Sequence, residues 1–349
     1  MTAESGAEAE AGAGSEHAAR RVRFVAPRRV EVSRRPVETP GADEVRVETT
    51  LSAISPGTEL LVYRDQLPDD VPLDETIDSL DHTPSYPFSY GYATVGTVTA
   101  AGADVDDEWV GRRVFAFHPH ASHFCLPPDD LVRLPPDVDD EDAVLLAMVE
   151  TAVSLAMDGR PRLGERVAVF GQGVVGLLTT AMLSRFPLSS LVTFDHHASR
   201  RDRSRSFGAD ESLPPDAAAR AFGAGDGRAD LSYEVSGNPA ALDTAIDTTG
   251  KNGRVVVGSW YGHKPTTLDL GGRFHRSHIQ LQASQVSRID PAHAGRWDKE
   301  RRMDLVLDLL PELTPSELVT HRLPVDEAPR AYQLLDQSPE EALQVLLEY

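Results

Sequence analysis

The sequence predicts an α/β protein with two domains, a small β-barrel or sandwich and a doubly wound parallel sheet. Short apolar runs separated by Pro, Gly and Asp clusters fill the chain from Arg21 to about Pro136, as is typical of antiparallel strands. Strand-like and helical runs alternate further on, which is the pattern of a parallel sheet covered by helices. We expect the first domain at 20–155, the second at 156–290 and a C-terminal return to the first domain at 291–349.

The individual elements follow from local periodicity. The strand-like runs of the first domain are VRF, VEV, VRVETTLSAI, YATVGTVTA, RRVFAF and SHFCL. Residues 139–157 begin with carboxylates and then place apolar side chains at helical spacing, which predicts a bridging helix. The second domain alternates RVAVF, VVGLLTTAMLSRF, LVTFD, SRRDRSRSF, DLSYEV, PAALDTAIDTT, GRVVVGS and HIQLQAS. The return contains two helical runs, DKERRMDLVLDLL and VDEAPRAYQLLD, and a strand-like LQVLLEY.

The charge of the chain excludes two classes of partner. Among 349 residues, 34 Lys and Arg face 55 Asp and Glu, so the formal net charge is −21. Such a surface repels nucleic acid and anionic membranes. Only Lys251, Lys264 and Lys299 are lysines, and this shortage beside the excess of carboxylates suggests adaptation to high salt.

The beginning of the chain and its hydropathy predict a soluble, cytoplasmic protein. Residues 1–19 are acidic, without Lys, Arg or an apolar run, so we expect a disordered tail rather than a secretory signal. No apolar run approaches the length of a membrane span. The single cysteine, Cys125, fits a reducing compartment.

Residues 167–176, VAVFGQGVVG, contain a GxGxxG motif between a predicted strand and a predicted helix. The first glycine allows a tight turn, the second lets the backbone approach a pyrophosphate, and the third lets the helix pack on the strand. The ends of later strands line the same crevice of a doubly wound sheet. The predicted cofactor contacts are Gly171, Gln172, Gly173, Val174, Gly176, Asp195, Ser236 and Gly258.

A GxGxxG motif in this position predicts that a nicotinamide dinucleotide binds. The next strand indicates whether it is NAD or NADP. Asp195 ends this strand, where a carboxylate accepts hydrogen bonds from both ribose hydroxyls and so favours NAD. Arg200 and Arg201 follow closely, and arginines there either accommodate the 2′-phosphate of NADP or form a solvated basic helix face. NAD is the expected cofactor, with NADP as the alternative.

Two segments of the first domain resemble segments of a known superfamily. SAISPGTEL at 52–60 and YPFSYGYATVGTVTAAG at 86–102, with the order of the domains, resemble the medium-chain dehydrogenase/reductase superfamily. The resemblance implies a GroES-like β-barrel domain beside the Rossmann domain. It also implies an NAD(P)-dependent oxidoreductase that interconverts a small-molecule alcohol and an aldehyde or ketone by hydride transfer, with a homodimer as one assembly it allows.

The same resemblance implies that no zinc is bound. The positions of the family's catalytic zinc ligands fall on Pro56, on Tyr92 and near Ala147 or Met148, and these residues cannot supply the ligands that zinc requires. The lobe with four structural cysteines is also missing. SPGTE, HPH and FGQGVVGLL most resemble a zinc-independent branch that includes the bacteriochlorophyllide hydroxyethyl dehydrogenases.

Without zinc, side chains must polarise the substrate oxygen and move a proton. Thr58 occupies the position of a hydroxyl in the family's proton relay and is either a proton shuttle or a turn residue. Tyr92 is either a hydrogen-bond donor to the substrate or an aromatic plug. His120 is either an acid/base group or a surface-loop histidine, and Glu59 either orients an arginine or histidine or forms a structural ion pair.

Three further interpretations stay open at this point. His118, His120 and His123 form an HxHxxH pattern, although Pro119 makes three convergent imidazoles doubtful as a metal site. A reductase of activated C=C bonds, of the quinone or enoyl type, also needs no metal. A protein that binds NAD(H) as a redox sensor without catalysis would equally lack the zinc ligands.

Overall fold

The computed structural model describes residues 18–68, 70–74, 77, 80, 83–223 and 227–349. The expected acidic tail therefore lies outside the described residues except at its end, where the first strand already begins at Ala18. The strands are β1 Ala18–Ala26, β2 Arg29–Pro36, β3 Val45–Ala53, β4 Thr94–Ala101, β5 Arg113–Ala116, β6 His123–Leu126, β7 Leu131–Arg133, β8 Arg166–Phe170, β9 Ser190–Phe194, β10 Glu211–Leu213, β11 Ala229–Glu234, β12 Thr249–Val257, β13 Gln280–Ala283, β14 Val319–Pro324 and β15 Gln344–Glu348.

The helices connect the strands in the expected alternation. They are α1 Pro56–Tyr63, α2 Asp140–Ala143, α3 Leu146–Gly159, α4 Val174–Leu183, α5 Ala198–Ser206, α6 Ala218–Ala221, α7 Pro239–Thr248, α8 Lys299–Leu313 and α9 Ala328–Gln337. Within the described ranges, no helix has both the length and the apolar character needed to cross a membrane.

The first sheet is built mainly from the N-terminal part of the chain. Its order is β14-β15-β3-β4-β5-β7, with β6 also paired to β3, while β1 and β2 form a separate hairpin. The last strand, β15, pairs antiparallel with β3, and Leu346 lies opposite Ala53. The C-terminal segment thus completes the first sheet.

The second sheet is parallel throughout, in the order β10-β9-β8-β11-β12-β13. From β8 the chain adds β9 and β10 on one side of the sheet. It then crosses back and adds β11, β12 and β13 on the other side of β8, so the strand order reverses between β8 and β11. Ligands of doubly wound sheets bind at the carboxyl ends of the strands beside such a reversal. The α/β fold class predicted from the sequence is confirmed, with a doubly wound parallel sheet beside a first sheet that is mixed, since β14 and β15 pair parallel.

Two helices depart from the sequence prediction. The bridging helix is split into α2 and α3, and its buried face packs between the two sheets. Helix α1 was not predicted, because SPGTELLVY lies within a segment that otherwise has strand periodicity. The sequence feature that could have predicted this helix is the Ser55-Pro56 pair, since proline is favoured in the first turn of a helix.

Candidate active site

A cleft of about 1980 Å³ lies between the two sheets and receives side chains from both. Helix α1 and the segment just before strand β4 border it on the side of the first sheet, and the ends of β8, β9, β11 and β12 border it on the other. Most of the predicted site residues line it. They are Thr58, Tyr92, Gly171, Gly173, Val174, Gly176, Asp195, Ser236 and Gly258.

The three glycines of the motif lie in different surroundings. A Cβ atom on Gly171 would lie 2.5 Å from the Cα of Ser236, and one on Gly176 would lie 2.0 Å from the carbonyl oxygen of Gly171. Gly173, at the N-cap of α4, would meet nothing within 4 Å. The outer glycines therefore allow close backbone packing, while the middle one faces space that a pyrophosphate can fill.

Asp195 is held rigidly at the edge of the cleft. One carboxylate oxygen accepts the backbone N–H of Gln172 at 2.8 Å, and the other accepts that of His197, also at 2.8 Å. Each oxygen keeps a further lone pair for a ligand hydroxyl. The side chain of Gln172 is buried and bonds Gly171 and Thr180, so Gln172 acts on the cleft through Asp195.

The two arginines after Asp195 turn toward the protein. Arg200 lines the cleft and donates to the carbonyl oxygen of Pro339 at 2.7 Å, which ties α5 to the C-terminal segment. Arg201 donates to the carbonyl oxygens of Asp195 and His196. Arg200 therefore anchors structure and is not simply part of a solvated basic face.

A buried carboxylate fixes the turn after β11. Glu234 accepts hydrogen bonds from the hydroxyl of Ser236 at 2.5 Å, from its N–H at 2.8 Å, and from the phenol of Tyr261. Lys264 donates to the carbonyl oxygen of Gly237 at 2.9 Å. This cluster holds Ser236 against the glycine motif.

Tyr92 forms the polar end of the cleft on the side of the first sheet. Its phenol donates to Ser55 Oγ at 2.5 Å and lies 3.5 Å from Thr58 Oγ1. Burial raises the pKa of Tyr92, while the hydrogen bonds with Ser55 and Thr58 lower it by less. The phenol is therefore neutral near pH 7 and can donate a hydrogen bond.

Glu59 and His120 lie together behind this end of the cleft. Glu59 Oε1 accepts the N–H of Ser55 at 2.7 Å, and Oε2 lies 3.0 Å from His120 Nε2 and accepts the phenol of Tyr332. The other ring nitrogen of His120 lies 2.7 Å from Ser52 Oγ. Both side chains are fully buried and do not border the cleft, so neither touches a ligand bound there.

The histidines of the HxHxxH pattern point to separate partners. His118 Nδ1 bonds the carbonyl oxygen of Pro119 at 2.7 Å, and its ring stacks on Phe124. His123 Nδ1 lies 3.0 Å from Ser122 Oγ. In the ranges that are described, no three His, Cys, Asp or Glu side chains form a metal site.

Sequence reasoning missed the partners that hold the site together. Ser55 accepts from Tyr92, and Arg302 binds the buried carboxylate of Glu150 at 2.6 Å. Arg302 also bonds Ser154 and the carbonyl oxygens of Val286 and Arg288, thereby connecting α3, α8 and the loop after β13. The sequence distances of these pairs are too long for any local pattern to indicate them.

Comparison with known proteins finds similarity to dehydrogenases. A family profile described as "Zinc-binding dehydrogenase" matches residues 174–298. The sorbitol dehydrogenase of Rattus norvegicus is 25% identical over 223 residues, covering 62% of this chain and 57% of the rat protein. The D-guloside 3-dehydrogenase of Escherichia coli K12 is 24% identical over 274 residues, covering 74% of this chain and 77% of that relative.

Solved structures share the fold over most of the chain. The 2R,3R-butanediol dehydrogenase of Bacillus subtilis superposes with a TM-score of 0.77 at 19% identity, covering 95% of this chain and 99% of that one. An alcohol dehydrogenase from Escherichia coli CFT073, solved with NADH, gives a TM-score of 0.76 at 19% identity, covering 95% and 100%. At this identity the likeness establishes the fold.

Proposed function

We propose that this chain, which belongs to the medium-chain zinc-type dehydrogenase/reductase superfamily, is an NAD(P)-dependent oxidoreductase that interconverts an alcohol and a ketone or aldehyde without zinc. The observation that carries the proposal is Tyr92, whose phenol is bonded to Ser55 at the position where the superfamily has a zinc ligand. The nicotinamide cofactor, when bound, would accept the hydride as NAD⁺ or supply it as NADH.

Zinc does not fit the residues at the family's ligand positions. Pro56 has no donor atom, Tyr92 is a neutral phenol, and Met148 offers only a thioether, whereas catalytic zinc takes three nitrogen, thiolate or carboxylate ligands. All three residues line the cleft, and none of them supplies such a ligand there. We therefore assign polarisation of the substrate oxygen to a hydrogen-bond donor.

Tyr92 fits that role. Because the phenol is neutral, it can donate its proton to a carbonyl oxygen and stabilise the negative charge that develops there. The hydroxyl of Ser55, 2.5 Å away, can then donate to the phenol oxygen. Thr58 lies 3.5 Å from the same oxygen and lines the cleft, so it can bring a proton from solvent back to the phenol during reduction and carry one out to solvent during alcohol oxidation.

Glu59 and His120 support this arrangement from behind. Glu59 fixes the backbone of Ser55, the residue that accepts from Tyr92, and His120 holds the second oxygen of Glu59. We assign both as positioning residues, because Ser55 and Tyr92 separate them from the cleft. The sequence left open whether Glu59 orients a histidine or forms a structural ion pair, and the contact with His120 is compatible with both.

The cofactor is assigned to the second sheet. The backbone at Gly173 and Val174, at the N-terminus of α4, would hold the pyrophosphate, and Asp195 would accept the ribose hydroxyls. Asp195 supports a preference for NAD, because both of its oxygens are already oriented by backbone N–H groups.

The proposal is tested by substituting Tyr92 and measuring turnover of alcohols with NAD. We expect Tyr92→Phe to lower kcat about 10²-fold or more, as the loss of one oxyanion donor does elsewhere, while the Kd for NADH stays unchanged. Tyr90→Phe is the matched control, since Tyr90 borders the same cleft and packs edge-on against Tyr92.

A substrate panel separates the remaining activities. Secondary alcohols and ketones should react, whereas quinones and enoyl compounds should not. Reduction of the latter alone would favour the C=C reductase, and tight NADH binding with no turnover of any compound would favour the non-catalytic sensor.

A further inference from the structure

The walls around Tyr92 are apolar on both sides. On one side, the buried residues Leu73, Leu80 and Tyr90 belong to a hydrophobic cluster against which Tyr92 and Trp260 pack. All five residues border the cleft. The phenol of Tyr92 therefore emerges from a wall of aliphatic and aromatic side chains.

The opposite wall comes from the bridging helix and the loop after β5. Met148 is buried in the hydrophobic cluster that contains α3, and Tyr92 and Phe117 pack against this cluster. Met148 and Phe117 both line the cleft. Tyr92 thus lies at the junction of two apolar clusters, and we call the space between them the apolar chamber.

Charged groups that border the same part of the cleft are engaged within the protein. Asp74 accepts the hydroxyl of Ser287 at 2.8 Å. Glu150 is bound by Arg302, whose guanidinium also reaches Ser154 and two backbone carbonyl oxygens. These contacts occupy part of the hydrogen-bonding capacity of both carboxylates, and the chamber walls described above are apolar.

From this lining we infer that the substrate is a bulky apolar ketone or secondary alcohol, with an aryl or branched aliphatic group beside the carbonyl carbon. The reacting oxygen meets Tyr92, and the apolar group fills the chamber. A polyhydroxy compound would bury hydroxyls against these walls without partners, and each such hydroxyl weakens binding about tenfold. This inference rests on the proposed function and differs from the compounds after which the sorbitol and D-guloside relatives are named.

Binding to the NAD⁺ complex tests the substrate class without requiring turnover, because a ketone and NAD⁺ are both oxidised. Isothermal titration would compare acetophenone with erythrulose, an open-chain polyhydroxy ketone. We expect the Kd for acetophenone to be at least 100-fold lower. Equal affinities, or tighter binding of erythrulose, would overturn the inference.

A substitution in the apolar chamber tests whether acetophenone binds there. Met148→Gln should weaken acetophenone binding about tenfold and leave the Kd for NADH unchanged. Met182→Gln is the matched control, because Met182 belongs to the same cluster but does not border the cleft, and it should leave both affinities unchanged. If Met148→Gln binds acetophenone as tightly as the original protein, the chamber is not the site.

The two proposals fail in different ways. Tight binding of acetophenone without any oxidation of 1-phenylethanol by NAD would keep the apolar site and refute the oxidoreductase. Oxidation of polyols that depends on Tyr92, with weak acetophenone binding, would keep the oxidoreductase and refute the apolar substrate.

Discussion

At the scale of single residues, the sequence identifies residue types and chain positions but not the direction of a side chain. Tyr92 and His120 were both predicted members of the site, Tyr92 at the start of the strand-like run YATVGTVTA and His120 after the run RRVFAF. The structure directs the phenol of Tyr92 to the cleft and buries His120 between Ser52 and Glu59. That difference depends on the pairing of β3 with β6 and β15, which joins segments far apart in the chain.

The predicted preference for NAD depends on Asp195. Changing Asp195 to Asn keeps the shape of the side chain and removes the charged acceptor for the ribose hydroxyls. Because a hydrogen bond to a charged group contributes about 1.5–3 kcal/mol, we expect KM for NAD to rise about 30-fold. Steady-state kinetics with NAD and NADP would measure it.

Asp210→Asn is the control for this substitution. Asp210 also accepts a backbone N–H, that of Leu191 at 2.7 Å, but it does not border the cleft. It should leave KM unchanged. An unchanged KM for NAD in Asp195→Asn would remove Asp195 from the cofactor site.

His118 makes stability depend on pH. Burial lowers its pKa to about 3, whereas the unfolded chain has the ordinary value of about 6.5. As the pH falls from about 6.5 toward 3, the unfolded state binds a proton that the folded state does not, so stability is lost by about 1.4 kcal/mol per pH unit.

His118→Gln tests this linkage. The amide can still donate to the carbonyl oxygen of Pro119, but it does not titrate. Urea unfolding between pH 6.5 and 4.5 should show a shallower loss of stability in the variant. Identical slopes in the two proteins would mean that His118 is protonated in the folded state.

At the scale of elements, the loop after β12 joins the two sides of the cleft. The N–H of His263 donates to the carbonyl oxygen of Gln66 at 2.8 Å, and a Cβ on Gly262 would lie 2.0 Å from that oxygen. Tyr261 and Lys264 of the same loop bond Glu234 and Gly237. The loop therefore fixes the position of α1 relative to the cofactor side of the cleft.

Gly262→Val should separate these elements. Gly262 has φ +58°, in the region that favours glycine, and the added side chain would push Gln66 away. We expect a weaker Kd for NADH and a Tm several degrees lower, since left-handed backbone alone costs about 1–2 kcal/mol at a residue with a Cβ.

Gly164→Val separates strain from the loss of contact. Gly164 has φ +77° and no atom within 4 Å of the added Cβ, so it tests strain alone. Its Tm should fall while the Kd for NADH stays unchanged. If Gly262→Val behaves in the same way, the loop does not fix the cleft.

The elements themselves were largely predictable from periodicity, because alternating strands and helices leave strong local patterns. Helices α1 and α6 and the short strands β7, β10 and β14 were missed, since elements this short leave little periodicity in the sequence. The Glu150–Arg302 pair was missed because it joins residues 152 positions apart.

At the scale of the whole molecule, we expect the net charge of −21 to make stability depend on salt. Dense carboxylates repel one another in the folded state, and the Debye length falls from about 10 Å at 0.1 M to about 3 Å at 1 M salt. We expect Tm to rise steadily with KCl into the molar range. Sucrose at matched osmolality should raise it less, and a flat response to KCl would contradict adaptation to high salt.

The central claim is that the phenol of Tyr92 acts in the absence of zinc. It is tested by the rate of hydride transfer in a single turnover, followed by NADH absorbance, with protein dialysed against a chelator. The account predicts the full rate without added zinc and a loss of about 10²-fold or more in Tyr92→Phe. A rate that is lost on chelation, restored by zinc and unaffected by Tyr92→Phe would contradict it.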